Sequence, residues 1–230
     1  MACAGLPHHH RLHRAAHFAT NWGHYLLLTW LPTYLTSLGL QLGAGGALFA
    51  MPYLVAVVMG NTGGWIADEL LQRRCGWSLR TTRKAMQAIA HGVPAACFGL
   101  LCATTSAVAA TAMLTVAISA ASFSHSGYNA NLIDICGGEA AHTARMMGVV
   151  NTVGTLPGIL ASWSTGQLLT GDGTQAEWRR VWTLGIAVYA VGLGAFLRFC
   201  QGHDVVRVLV TAEARAKAAA TAGGAEDGRV

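Results

Sequence analysis

Long stretches of this chain carry no formal charge, and that limits what it can fold into more than any motif does. No Asp, Glu, Lys or Arg occurs from Ala15 to Ala67 or from Ala85 to Ile133. Two shorter stretches, Met146 to Gly171 and Val181 to Leu197, are equally free of charge. A helix that crosses the hydrocarbon of a bilayer needs about 20 mostly apolar residues, at a rise of about 1.5 Å each. Each long stretch has room for two crossings and each shorter one for a single crossing. The sequence therefore predicts an all-α membrane protein of six transmembrane helices, near 17–38, 46–67, 85–105, 107–128, 146–168 and 179–199. A soluble helical protein with an equally apolar core would show charged faces at helical spacing, and these segments show none. A charge at a helix centre costs about 2.5–3.5 kcal/mol on insertion, which accounts for the pattern if lipid is the solvent. The chain divides into a basic N-terminal segment (1–16), a transmembrane domain (17–200) and a tail (201–230) rich in Ala, Gly and charge that is expected to be mobile. Within that tail Val205 to Val210 could form a local strand.

The net charge of +5 would point to nucleic acid in a soluble chain. Here the basic residues fall on alternate connections instead, and no nucleic-acid partner is expected. Arg11 and Arg14 precede the first span. Arg73, Arg74, Arg80, Arg83 and Lys84 lie between the second and third. Arg145 ends the next connection on that side, and Arg198, Arg207, Arg215, Lys217 and Arg229 follow the last span. Only Arg179 and Arg180 lie opposite. The positive-inside rule makes the rich side cytoplasmic, or stromal in an organelle, and places both chain ends there. The expected location is a multi-pass integral one, in the plastid or another organelle membrane if not the cell's own.

Six cysteines show no metal-ligand spacing and mostly sit in spans or on the reducing side, so neither a disulfide framework nor a metal site is expected. No nucleophile–base set or phosphate-cradling loop occurs, and neither enzymatic activity nor a cofactor is expected. Pro32, Pro52, Pro94 and Pro157 each fall inside a span, where a buried membrane helix can kink. Gly60 with Gly64, and Gly154 with Gly158, form small-xxx-small pairs that let helix backbones approach closely.

Polar residues inside the spans are the candidates for function. Asn21, Tyr25 and Thr29 recur at four-residue spacing and share one helical face. Asn151, Thr152 and Thr155 form a second polar patch just before Pro157. Both patches fit the wall of a water-filled cavity, and equally fit hydrogen bonding between helices. His24 and His125 could titrate near neutral pH. At the basic boundary, Gly64 and Asp68 are followed by Arg73, Arg74, Arg83 and Lys84, which by themselves mark the membrane face.

Four segments in order, "NWGHYLLLTWLPTYL" from Asn21, "GGWIAD" from Gly63, "SGYNANLIDI" from Ser126 and "MGVVNTVGTLPGI" from Met147, resemble the C-terminal half of major facilitator transporters. More narrowly, they are similar to the anion–cation symporter family, which includes plant plastid phosphate transporters, sialin and vesicular glutamate transporters. The likeness runs from about His17 to Phe199. It implies half of a major facilitator fold and ion-coupled alternating access that moves inorganic phosphate or an organic anion together with a proton or sodium. It also implies a latch role for the Gly64–Asp68–Arg73–Arg74 pattern. Two departures stand out. The family's usual residues after its Asp, matched here by Asp134, are replaced by Cys136, Gly137, Gly138 and Glu139. Vesicular glutamate members carry an Arg where Thr20 stands, so glutamate is not favoured, and the "NWG…LLTW" wording from Asn21 lies closer to the plant phosphate branch.

The superfamily fold has two six-helix halves with substrate bound between them. The resemblance accounts for one. No acidic or basic residue lies near the middle of any span, so the positive potential that an anion needs, and the ion-coupling group, would come from a partner. That partner would be a missing N-terminal half or a second copy of this chain, alongside the lipid bilayer. The alternative is a non-transporting remnant, or a membrane subunit that assembles with full-length carriers.

Overall fold

The computed structural model describes residues 7–136 and 140–200. Eight α-helices among them build six rods. The first is α1 (Pro7–Ser37), and the second is α2 (Leu42–Trp65), continued by a π-helical segment, Ile66–Arg74. The third is α3 (Leu79–Leu101). The fourth is α4 (Ala107–Ala121), joined through a 3-10 turn (Ser122–His125) to α5 (Tyr128–Ile135). The fifth runs from α6 (Ala140–Gly154) into α7 (Leu156–Leu168), and the sixth is α8 (Gln175–Phe199). No strand occurs among the described residues. Both the strand suspected at 205–210 and the departure at Gly137–Glu139 lie outside them.

The rods match the six expected spans in order, and all but the last overrun them at the basic end. The charged connection expected from Asp68 to Lys84 is mostly helix, and only 75–78 remains between helices. Two local interactions explain this. Arg73 reaches back one turn to Glu69 at 3.1 Å, supporting continued helix. Ser78 then caps α3 by accepting from the Thr81 N–H, a bond that replaces one otherwise missing at a helix start. Three rods, Phe49–Arg74, Ala107–Asp134 and Gln175–Phe199, are long and apolar enough to cross a membrane by themselves. In α1 and α3 several polar residues, among them His17, Gln87 and His91, are buried against protein. The α6–α7 rod is interrupted at Thr155.

Several hydroxyls and amides in these apolar helices are satisfied within their own turn. Asn61, Thr62, Thr111, Thr115 and Thr183 each donate to the carbonyl four residues back, which removes the cost of an unpaired donor facing hydrocarbon. Pro32, Pro52 and Pro94 sit in continuous helices, whereas Pro157 opens α7 immediately after the break.

The bundle centres on α1, α3 and α8, with α4 against α3, α2 against α4, and α7 against α1. Its densest part is an aromatic stack. Trp178 and Trp182 lie face to face with centroids 5.5 Å apart, and Tyr34 meets both edge-on at 4.9 and 4.8 Å. Phe98 closes on Trp182 at 5.0 Å, lying where a Cβ on Gly185 would be. Such pairs contribute about 0.5–1.5 kcal/mol each beyond area burial. That matters where lipid tails remove most of the hydrophobic drive for one helix to prefer another. The outward faces of α2 (Leu54, Val57, Val58) and α7 (Ile159, Trp163) are exposed and apolar, a surface that suits lipid or another helical body rather than water.

Candidate functional site

Because α2 leans on α4 and the 3-10 turn while α1 leans on α7 and α8, α1 and α2 touch at few points. Between them is a cavity of about 640 Å³, backed by α4, the 3-10 turn and Tyr189 of α8. Its size falls within the range of small-molecule sites. The small residues of α2 bring it against the back wall: Gly60 faces Ser122, Gly63 the Phe123 ring, and Gly64 Ser126. His24, Asn61 and His125 are exposed at the cavity mouth. Deeper in are Thr20, Asn21, Ser122 and the Tyr53 hydroxyl, a buried group with no hydrogen-bond partner among the described residues. No Asp, Glu, Lys or Arg lines it. The cavity therefore offers neutral donors and two imidazoles but no fixed charge.

The two polar patches read from the sequence are placed differently. Asn21 lines the cavity and donates to the Gly154 carbonyl at 2.7 Å. That carbonyl is available because Pro157 has no N–H and the Gly158 N–H turns back to Thr155. One turn on, Tyr25 packs against Gly158, and one turn further Thr29 accepts from Ser162 at 3.4 Å. The shared face of Asn21, Tyr25 and Thr29 is thus the seam of α1 against the broken rod, made close by Gly154 and Gly158. Asn151, Thr152 and Thr155 are exposed on that rod, with the two threonine hydroxyls bonded to Gly148 and Thr152 carbonyls.

Behind the cavity runs a buried chain of hydrogen bonds that the sequence reading missed. His17 bonds Asn21 at 3.1 Å and the Tyr128 hydroxyl. The Tyr128 backbone N–H donates to the Gln87 carbonyl oxygen at 2.9 Å. The Gln87 amide nitrogen meets His91 Nε2 at 2.9 Å, as does the Thr20 hydroxyl. His91 is 1% exposed. Its partners lie 71 residues away on α1 and, through Gln87, 41 residues away on α5, so no local spacing marks them.

The basic boundary holds a second cluster. Arg83 grips Asp134 through Nε at 2.7 Å and Nη2 at 3.3 Å, and its Nη1 donates to the Ser126 carbonyl at 3.1 Å. Its side chain is 9% exposed, and the fork geometry makes this the strong form of a carboxylate pair. Asp68 stands 3.9 Å from Arg83 with 70% of its side chain exposed, so its share is weak. Arg73 and Arg74 pair with Glu69 instead of Asp68, and Lys84 is partly exposed beside Arg83. The cluster ties the ends of α2, α3 and α5 together. Its main anion, Asp134, lies 51 residues from Arg83; the pattern in the sequence named the arginine but not this partner. Among the described residues no group of three His, Cys, Asp or Glu is placed to hold a metal.

The sequence model of the Major Facilitator Superfamily matches residues 13–162. The chloroplast sodium-dependent phosphate transport protein 1 of Arabidopsis thaliana is 33% identical over 193 residues, covering 84% of this chain and 36% of that protein. The chloroplast ascorbate transporter of the same plant is 35% identical over 194 residues, covering 83% and 34%. Vesicular glutamate transporter 3 of Danio rerio is 30% identical over 189 residues, covering 82% and 31%. The chain thus spans about a third of the length of the curated relatives it matches.

Proposed function

The chain belongs to the Major Facilitator Superfamily, and from that premise we propose that it forms the C-terminal wall of an ion-coupled anion carrier for inorganic phosphate or an organic anion. The cavity between α1 and α2 carries this reading, because its polar lining is all neutral donors and imidazoles. Such a lining can orient an anion but cannot neutralise it, so a fixed cation has to come from a facing body. The exposed apolar faces of α2 and α7, one on each flank, suit six further helices or a second copy. Relatives named for phosphate, ascorbate and glutamate transport support an anionic cargo. In this reading Asn21 touches the cargo's surroundings directly. Tyr25 and Thr29 set the seam beside it, and Asn151, Thr152 and Thr155 face the partner. The basic end is cytoplasmic or stromal, and there Arg83 with Asp134 and Asp68 forms the gate. Gly64 holds α2 close to it, and Arg73, Arg74 and Lys84 form its charged surround.

Uptake into proteoliposomes tests this. The purified chain alone is expected to show no saturable uptake of labelled phosphate or small organic anions, and co-expression with the six-helix N-terminal half of a relative is expected to restore it. Gradient-driven uptake by the chain alone would instead support a carrier built of two copies. Failure of both would favour a non-transporting subunit.

A further inference from the structure

We propose that His91 is a proton-binding site behind the cavity, and that its protonation releases the start of α5 and so loosens the Arg83–Asp134 pair. This rests on the reading of the chain as an ion-coupled carrier and selects the proton as the ion.

The hydrogen bonds determine which state is present. The Gln87 carbonyl oxygen is held by the Tyr128 backbone N–H, so the other end of that amide, facing His91 Nε2, must be its N–H donor. The Thr20 hydroxyl also meets Nε2. His91 Nε2 is therefore the unprotonated acceptor, and the ring proton is on Nδ1, which is buried with no partner among the described residues. The Nδ1–H is unpartnered whether or not Nε2 is protonated, so at 1% exposure Nε2 is the atom whose proton decides the network.

A proton arriving at Nε2 turns that nitrogen from acceptor to donor, so both of its 2.9 Å contacts stand donor against donor until each partner reverses. Thr20 lines the cavity, and its hydroxyl can rotate to accept, giving a route from cavity water. Gln87 can accept only by turning its amide over. Its NH2 group would then face the Tyr128 N–H, donor against donor, and the bond that holds the first turn of α5 is lost. Relaxation in place is blocked, because Gly127 lies against the Gln87 backbone so closely that even a Cβ there would stand 3.1 Å from the Gln87 nitrogen. α5 is only eight residues long and carries Asp134. Displacing its start therefore moves the carboxylate that grips Arg83, and with it the Ser126 carbonyl that Arg83 also holds. The groups facing His91 are Thr20 from α1, Gln87 from its own helix and the Tyr189 ring from α8 at 5.2 Å. His17 reaches α5 separately, through the Tyr128 hydroxyl, and is the competing titratable group. The charges of the network are Arg83, two turns back along α3, with Asp134 and Asp68.

The 230-residue chain in lipid nanodiscs can be followed from about pH 8 to about pH 4 by histidine side-chain NMR and by backbone amide exchange. One histidine signal, absent from His91→Gln, is expected to titrate. As it does, protection of the Tyr128–Ile135 amides, corrected for intrinsic exchange, should fall at least about tenfold while that of α8 holds. Gln87→Leu should leave the titration in place and abolish the response of α5, so the coupling is readable even if His91→Gln does not fold. The proposal is overturned if His91 stays neutral across the range, if α5 follows the His17 signal, or if Gln87→Leu still responds. No flux is measured, so this outcome and that of the uptake experiment are independent.

Discussion

The two ends of the bundle are held by different chemistry. At the basic end, Arg83 joins helices mainly through side chains, Asp134 on α5 in a forked pair and Asp68 beyond α2 at 3.9 Å, with one bond to main chain at the Ser126 carbonyl. At the opposite end, side chains bond mostly to main chain. Gln175 donates to the Cys102 and Thr104 carbonyls, Arg179 donates to the Cys102 carbonyl at 2.7 Å, and the Glu177 carboxylate accepts from the Thr174 N–H in a capping box and from the Thr170 N–H beside it. Directly beneath lies the Trp178–Trp182–Tyr34 stack. Bonds to main-chain carbonyls at a helix end have few replacements in a membrane, so breaking them leaves orphaned groups. A side-chain ion pair between helices can exchange one anion for another, or for water, as the helices part. On the proposed reading, the opposite end stays closed within this body and the basic end changes.

Four variants test that contrast. Trp182→Ala removes the centre of the stack and should cost about 3–5 kcal/mol, seen as loss of the folded, monodisperse protein on heating in detergent or nanodiscs. A smaller effect than that of any basic-end variant would mean that the opposite end is not the anchor. Asp134→Asn comes next. Arg83 then keeps the Ser126 carbonyl and one oxygen of the new amide but loses its balancing charge while remaining buried, for a cost of about 1.5–3 kcal/mol. Arg83→Leu combined with Asp134→Leu should recover most of that loss, since two apolar groups leave no unpaired charge. If the double variant is no more stable than the single one, the pair is not a discrete element and the contrast fails.

How much of this could be read from the sequence depends on how local each signal is. Charge-free stretches mark rods because every residue in a span faces the same solvent constraint, and six rods appear in the expected order. The alignment of Asn21, Tyr25 and Thr29 followed from helical period alone, and the three do share a face. What the period cannot supply is the identity of the opposing surface, here Gly154, Gly158 and Ser162. The Asp68–Arg73–Arg74 pattern showed where the charged cluster is but not its wiring. Helix continues through Ile66–Arg74, so Glu69, one turn before Arg73, takes the arginines. Arg83 finds its anion on another helix. Gln87 and His91 stand one turn apart on α3, but Thr20 on α1 and Tyr128 on α5 become their neighbours only through the packing of three helices, which no spacing shows.

The smallest effect on stability belongs to Asp68, and it is also the sharpest test of the difference between the ends. Asp68 is mostly exposed, stands 3.9 Å from Arg83, and accepts a bond from Gln72 one turn on its own helix at 3.2 Å. Exposed pairs of this kind contribute below about 1 kcal/mol, so Asp68→Asn should leave abundance and thermal stability nearly unchanged. Its long-range contribution is different. While Asp134 neutralises Arg83, Asp68 is the second carboxylate within reach of the same guanidinium. If α5 swings away, Asp68 can take over the cation, and the end of α2 is then held to α3 in the new state. Removing its charge leaves the closed pair intact and removes the anion that receives Arg83 when the pair opens. In a carrier reassembled with its N-terminal half, Asp68→Asn should slow uptake several-fold, about the factor of 5 that 1 kcal/mol represents, with expression within error of the parent. Equal losses of uptake and abundance would make Asp68 a marker of the membrane face. A slowed cycle at full abundance would make the basic end the moving one.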